Sequence, residues 1–128
     1  MELNVSVVTH GRLVLAPLEW VVRERNNCKL SVIRGRQAPL VVTGRLYVTT
    51  ERLLFSTDSG TQLNSLSLSL ADICEMSYNR VARQRKLVTI RTFTADHGTE
   101  CTLEIYLFGA DLKHLIASLF SMRDSCLA

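Results

Sequence analysis

Between Ser65 and Leu70 the chain reads SLSLSL, which puts Leu66, Leu68 and Leu70 on one side of an extended segment and three serines on the other. A period of two is the signature of a β-strand with one buried face, and it excludes a helix there. The same period governs most of the chain before residue 109. Gly44–Thr49 and Arg52–Ser56 are β-rich runs joined at Thr50-Glu51, which predicts a tight hairpin although Thr-Glu is not a favoured turn pair. Thr57–Thr61 carries turn chemistry and separates that hairpin from SLSLSL. Upstream, Leu18–Val22 and Cys28–Ile33 read as two strands turning at Asn26-Asn27. Downstream, Lys86–Phe93 and Cys101–Phe108 flank a hairpin loop at Ala95–Thr99, and Glu75–Asn79 reads as a shorter strand. From these eight runs the expected fold has about seven strands.

After Gly109 the period changes. Leu112, Leu115, Ile116, Leu119 and Phe120 fall at i, i+3, i+4, i+7 and i+8, the apolar stripe of a helix running from near Gly109 to Asp124. Asp111 falls in its first turn and Arg123 in its last, each at the end that suits its charge. The expected fold is therefore mainly β with one C-terminal helix: an antiparallel β-barrel or sandwich whose open end the amphipathic helix caps. At 128 residues, 47% of them hydrophobic, the chain fits a single domain over 1–128 that needs no disulfide or metal staple.

Glu2, Asn4, His10, Gly11, Arg12 and Pro17 interrupt the first twenty residues, so no signal-peptide core is present. The longest uncharged apolar stretch there, Leu13–Leu18, is far short of a membrane span. Cys28, Cys74, Cys101 and Cys126 are widely spaced, which points to reduced thiols, packed in the core where they fall in strands, rather than a zinc site. The expected setting is intracellular and cytoplasmic, with a peripheral membrane association open to it.

The formal charge of +3 conceals two basic blocks. Arg23–Arg52 holds seven basic residues against two acids, and Arg80–Arg91 holds five with no acid. Acidic stretches lie between and after them. Lys29, Arg34, Arg36 and Arg45 belong to the first block, while Arg80, Arg83, Arg85 and Lys86 crowd into seven residues of the second. Such blocks are either solvated faces or capture sites for an anionic partner.

The segment Thr43–Phe55, TGRLYVTTERLLF, resembles the G-x-L-Y-L-T-x-x-R-L-I-F/W hairpin of pleckstrin-homology-like domains of the GRAM and GLUE type. Gly44, Leu46, Tyr47, Thr49, Arg52, Leu53 and Phe55 match the pattern. Members of this group include the GLUE domain of an ESCRT-II subunit and the GRAM domain of WW-domain-binding proteins. The resemblance implies a PH-like barrel closed by a helix, and a non-catalytic adaptor that binds phosphoinositide at membranes in trafficking. It also implies lipid contacts from cations on the first two strands and their loop, where this sequence has Lys29, Arg34 and Arg36.

Nothing in the chain nominates a catalyst. His10, His97 and His114 are far apart and sit in no nucleophile or metal motif, and Arg34-Gly35-Arg36 is a basic turn rather than a phosphate loop. No cofactor or metal motif is present. Trp20, Tyr47, Tyr78, Tyr106 and the four phenylalanines are expected to face the core for the most part, which argues against a nucleic-acid stacking platform. Arg52 is expected to pair with Glu51 or a carboxylate on a neighbouring strand. The reading is a binding module that recognises anionic lipid, with Lys29, Arg34, Arg36, Arg80, Arg83, Arg85 and Lys86 as its contacts. The alternative is a protein-interaction scaffold that takes an acidic peptide or partner domain without lipid.

Overall fold

Alternation decides burial most visibly in the strand before the helix, where Cys101, Leu103, Ile105 and Leu107 are buried and the residues between them are not. The computed structural model describes residues 1–5, 7–9, 12–58, 63–82, 85–95, 98–109 and 112–127. Three two-residue strands come first: β1 (Glu2–Leu3), β2 (Val8–Thr9) and β3 (Arg12–Leu13). The longer strands are β4 (Val21–Arg34), β5 (Leu40–Thr49), β6 (Arg52–Thr57), β7 (Ser65–Ser69), β8 (Glu75–Ala82), β9 (Arg85–Phe93) and β10 (Glu100–Phe108). A 3-10 turn at Leu70–Asp72 links β7 to β8, and α1 (Leu112–Leu127) follows β10.

One antiparallel sheet runs in the order β1-β7-β6-β5-β4-β10-β9-β8, while β2 and β3 pair with each other. The long strands and α1 feed a common core that includes Leu30, Leu46, Phe55, Leu68, Ile90, Leu103, Leu115 and Leu119. The fold class expected from the periodicity is the one observed. Two-residue strands carry no period, which is why β1–β3 escape a reading of the sequence.

Several local expectations need correcting. Asn26-Asn27 is not a turn between two strands: β4 runs straight through it. The register against β5 slips between Arg25 and Cys28, so the asparagines bulge out of the ladder, and Asn27 takes a left-handed φ of 55° that asparagine tolerates well. Leu18–Trp20 is not strand either, because it belongs to a turn that precedes β4. The serine face of β7 is not open to solvent. The Ser65 hydroxyl donates to the Val5 carbonyl, the Arg52 Nη1 donates to Ser67 Oγ, and β1 pairs along the strand. The helix runs over Leu112–Leu127, past the Asp124 expected as its end. Arg123 thus sits before the last turn and donates to the Ile73 carbonyl at 3.3 Å, and Asp111 lies outside the described residues.

Cys28 and Cys101 lie in strands and are buried, Cys74 is exposed and Cys126 half-buried, all four as free thiols. Burial pushes the Cys28 thiol up to about 11. His114 is exposed on α1, while His10 and His97 lie outside the described residues.

The β5–β6 hairpin shows what its motif residues do. A Cβ on Gly44 would run into the Ser56 carbonyl on the paired strand, so only glycine lets the two strands approach there. The unfavoured Thr-Glu turn is closed by Thr49, whose hydroxyl accepts the backbone N–H groups of Glu51 (3.1 Å) and Arg52 (2.8 Å). The same hydroxyl donates to Glu19 Oε2. Arg52 completes a fork on that carboxylate, Nε to Oε2 at 2.9 Å and Nη2 to Oε1 at 2.7 Å, and the Ala16 N–H donates to Oε1 at 2.9 Å. Arg52 Nη2 also reaches the Val14 carbonyl at 2.9 Å. The expected carboxylate partner of Arg52 is therefore Glu19, thirty-three residues away, and not Glu51.

The Glu19 side chain is completely buried. Burial alone would raise its carboxyl, but the hydrogen bonds from Arg52, Thr49 and the Ala16 N–H, with the Arg52 charge, outweigh it and hold the group at about 2 instead of 4.5. A depressed carboxylate stabilises the fold above its unfolded value and loses that contribution as pH falls through the folded one. Chemical denaturation should therefore show stability falling between about pH 4.5 and 2 by about 3 kcal/mol from this group. Glu19→Gln should flatten that slope. Arg52→Met should cost about 3 kcal/mol or more at pH 7, because it strands a buried charge, and less at pH 3, where the carboxyl can protonate.

Candidate functional site: a cationic cleft at one end of β4

β4 is long enough to separate the cations of the first basic block. Pairing with β10 puts Arg34 opposite Cys101 and Lys29 opposite Tyr106, and Phe108 on β10 faces Arg85 on β9. From Cys101 to Phe108 the strand rises about 23 Å. Arg34, and Arg36 in the exposed turn after it, stand at the Cys101 end. Arg91 stands there too, ion-paired to Glu75 at 3.3 Å and Glu100 at 3.5 Å.

The Phe108 end collects the remaining cations. Lys29 and Arg85 lie on the outer face of the sheet, each over an aromatic ring that shares that face. Lys29 Nζ is 5.2 Å from the Tyr106 centroid, and the Arg85 guanidinium is 5.6 Å from that of Phe108. Arg80 and Lys86 are register partners on the β8–β9 hairpin and point to the other face, where Lys86 Nζ lies 5.8 Å from the Tyr78 ring. Tyr78 in turn packs edge-on against Phe120 of α1, with centroids 5.8 Å apart. The structure thus brings Lys29 and Arg85 to one face of the sheet, sets Arg80 and Lys86 on the opposite face at the same end, and leaves Arg34 and Arg36 at the far end. Arg83 lies outside the described residues.

Two further arginines complete the outer group. The bulge at Asn26-Asn27 opens a cleft of about 480 Å³ lined by Glu24, Arg25, Asn26, Asn27, Arg45, Phe108 and Gly109. Arg25 is held in place by a 2.7 Å bond from its Nη2 to the Phe108 carbonyl. Arg45, on the outward side of β5, lines the same cleft. Among the described residues Arg25, Lys29, Arg45, Arg80, Arg85 and Lys86 form no ion pair. Two arginines lining one solvent-open cleft with Phe108 offer forked donors of the kind that bind a multiply charged oxyanion. No group of three or more His, Cys, Asp or Glu side chains able to hold a metal occurs among the described residues.

Arg25 was overlooked because Asn26-Asn27 read as a turn, which put Arg25 and Lys29 on different strands. An asparagine pair with no glycine or proline, inside a run that stays β-rich on both sides, is the signal for a bulge instead. The aromatics also depart from expectation: Trp20, Tyr78, Phe93 and Phe108 are exposed. For the last three the reason is position. Phe93 and Phe108 fall on the outer side of the alternation, and Tyr78 stands on the edge strand β8.

A curled antiparallel sheet with this strand order, closed by a C-terminal helix, is the architecture of a PH-like domain. The model of the GRAM domain matches residues 14–108, and the chain belongs to that family. Among solved structures it is similar to the Vps36 N-terminal PH domain, with a TM-score of 0.59 at 16% identity over 95% of this chain and 92% of that one. It is also similar to the C-terminal domain of an unknown protein from Leishmania infantum, with a TM-score of 0.56 at 15% identity over 82% and 84% of the two chains. Identities this low show the fold alone. No curated protein sequence matches the chain. GRAM and PH-like domains are typically non-catalytic modules that bind membranes or proteins. No helix among the described residues is long and apolar enough to cross a membrane.

Gly109 gives a test of the cleft's construction. It sits at φ 103°, and a Cβ there would strike the Arg25 guanidinium. Gly109→Ala should therefore displace Arg25 from the Phe108 carbonyl and cost about 1–3 kcal/mol in backbone strain, read as a lowered denaturation midpoint. Gly98→Ala, with φ 62° and open space around it, should cost less.

Proposed function

We propose that this domain binds the anionic headgroups of a membrane surface, with phosphoinositides as the ligand class, as a peripheral module in the cytoplasm acting in membrane trafficking. The observation that supports the reading is the cleft lined by Arg25 and Arg45, with Lys29 and Arg85 on the outer face of the sheet at the same end. Arg34 and Arg36 are not part of this surface. At about 1 kcal/mol for each cation near an anionic bilayer, Arg25, Lys29, Arg45 and Arg85 supply about 4 kcal/mol, roughly millimolar binding. Electrostatics of that size recruits the domain reversibly and responds to salt.

A second reading, capture of an acidic peptide as an added strand, has one observation in its favour. β8 ends the sheet, and Arg80 lies along it beside the exposed Tyr78 and Val81.

Sedimentation with phosphatidylcholine vesicles, with and without a phosphatidylinositol phosphate, separates the two. The lipid reading expects pelleting that needs the phosphoinositide and weakens from low to physiological salt. Arg45→Glu with Arg85→Glu, both exposed, should abolish it, and Arg34→Glu with Arg36→Glu should leave it unchanged. Absence of pelleting at low salt sinks the lipid reading. Pelleting lost only in the Arg34/Arg36 pair moves the site to the other end of β4.

A further inference from the structure

The apolar stretch Leu13–Leu18 contributes little to the core. Leu18 is 81% exposed and Trp20, two residues on, 63%. Between them Glu19 turns inward to its fork with Arg52. Ala16–Glu19 is a β-turn closed by the Glu19 N–H on the Ala16 carbonyl at 3.1 Å, with Pro17 at the position where its fixed φ suits the turn. Leu18 is therefore held at a tip, and Trp20 beside it, by covalent geometry and the buried carboxylate together.

The polar groups that flank the tip are paired internally. The Ala16 N–H goes to Glu19 Oε1, the Trp20 N–H to Thr50 Oγ1 at 3.4 Å, and the Trp20 carbonyl accepts the Thr50 N–H at 3.1 Å. From Leu13 to Val22 the one ionisable side chain is Glu19, already paired. A projecting apolar tip with its flanking backbone groups paired and its one charge neutralised enters the polar headgroup–acyl boundary at a lower desolvation cost than an unpaired, charged loop would. Tryptophan in particular favours the boundary between headgroups and acyl chains. Because the tip projects rather than forming a groove, a fluid lipid surface accepts it without a matching pocket. Trp20 immediately precedes β4, and Arg25 of the cleft is five residues further on, within about 17 Å, with the exposed Arg23 between them.

We propose that the Ala16–Trp20 turn is an interfacial membrane anchor, with Leu18 and Trp20 entering the headgroup–acyl boundary while the cationic cleft holds the anionic headgroups. The inference rests on the lipid reading above and adds the apolar contribution that the cations alone lack.

Trp20 is the sole tryptophan of the chain, so intrinsic emission reports on the anchor directly. With phosphatidylcholine vesicles containing a phosphatidylinositol phosphate, emission should move to shorter wavelength. It should also be quenched by phospholipids brominated on the upper acyl chain. Leu18→Ser and Trp20→Ser should each weaken vesicle affinity about tenfold, one factor of ten in the dissociation constant. Both should leave thermal unfolding unchanged, along with the affinity for a soluble inositol phosphate. If the chain pellets but the emission stays put and both variants bind as the unaltered chain does, the anchor is overturned and the cleft stands. If emission shifts and Arg45→Glu with Arg85→Glu still binds fully, the anchor stands and the cleft falls. Failure to pellet at low salt overturns both, as does cover of the tip by a protein partner with no vesicle response.

Discussion

The buried fork of Arg52 on Glu19 is the contact from which the hairpin end of this domain takes its shape. Four donors converge on one carboxylate: two from Arg52, one from the Thr49 hydroxyl and one from the Ala16 N–H. They tie the segment before β4 to the β5–β6 turn, and Arg52 extends the tie to Ser67 on β7. A buried ion pair gains little net free energy over an apolar replacement, because desolvation offsets much of the attraction. What this one supplies is geometry. With the Glu19 carboxylate fixed inside, its neighbours Leu18 and Trp20 have to face outward. The Thr49-x-x-Arg52 spacing of the hairpin is thus explained by two tasks, closing an unfavoured turn and binding a distant carboxylate.

A second constraint is the length of β4. Fourteen residues carry cations from one end of the sheet to the other, so neighbours in sequence become remote in space. The bulge at Asn26-Asn27 then does locally what no regular strand could. It breaks the ladder, opens a cleft and leaves Arg25 reaching across to the Phe108 carbonyl. Antiparallel pairing returns Arg45 to the same end, and the β8–β9 hairpin brings Arg80, Arg85 and Lys86 there as well. Among the described cations of the second block, Arg91 is delivered to the opposite end, where it meets two acids.

Elements of the fold that repeat over many residues were legible in the sequence, and those that depend on one distant contact were not. SLSLSL, the Gly44–Ser56 hairpin and the stripe from Leu112 to Phe120 each announce their element, since burial on one face forces the period. The serines of β7 read as exposed because nothing in SLSLSL reveals that Val5 and Arg52 cover them. Glu19 likewise gives no local sign of its partner thirty-three residues on. At the candidate site the residue types were legible and their grouping was not: Lys29 and Arg85 share a face, Arg34 and Arg36 stand apart, and Arg25 lines the cleft beside a bulge that read as a turn. Charge blocks along a chain report composition, and strand register decides which of them share a surface.

The central claim is that headgroups bind at the bulge of β4 and not at the turn after it. Amide chemical shifts of the isotope-labelled chain, followed during titration with a soluble inositol phosphate, test this most directly. The account predicts saturable shifts at Arg25, Asn26, Asn27, Arg45 and Gly109, with Gly35 and Arg36 unmoved. Shifts confined to Arg34–Gln37, or none at low salt, would contradict it.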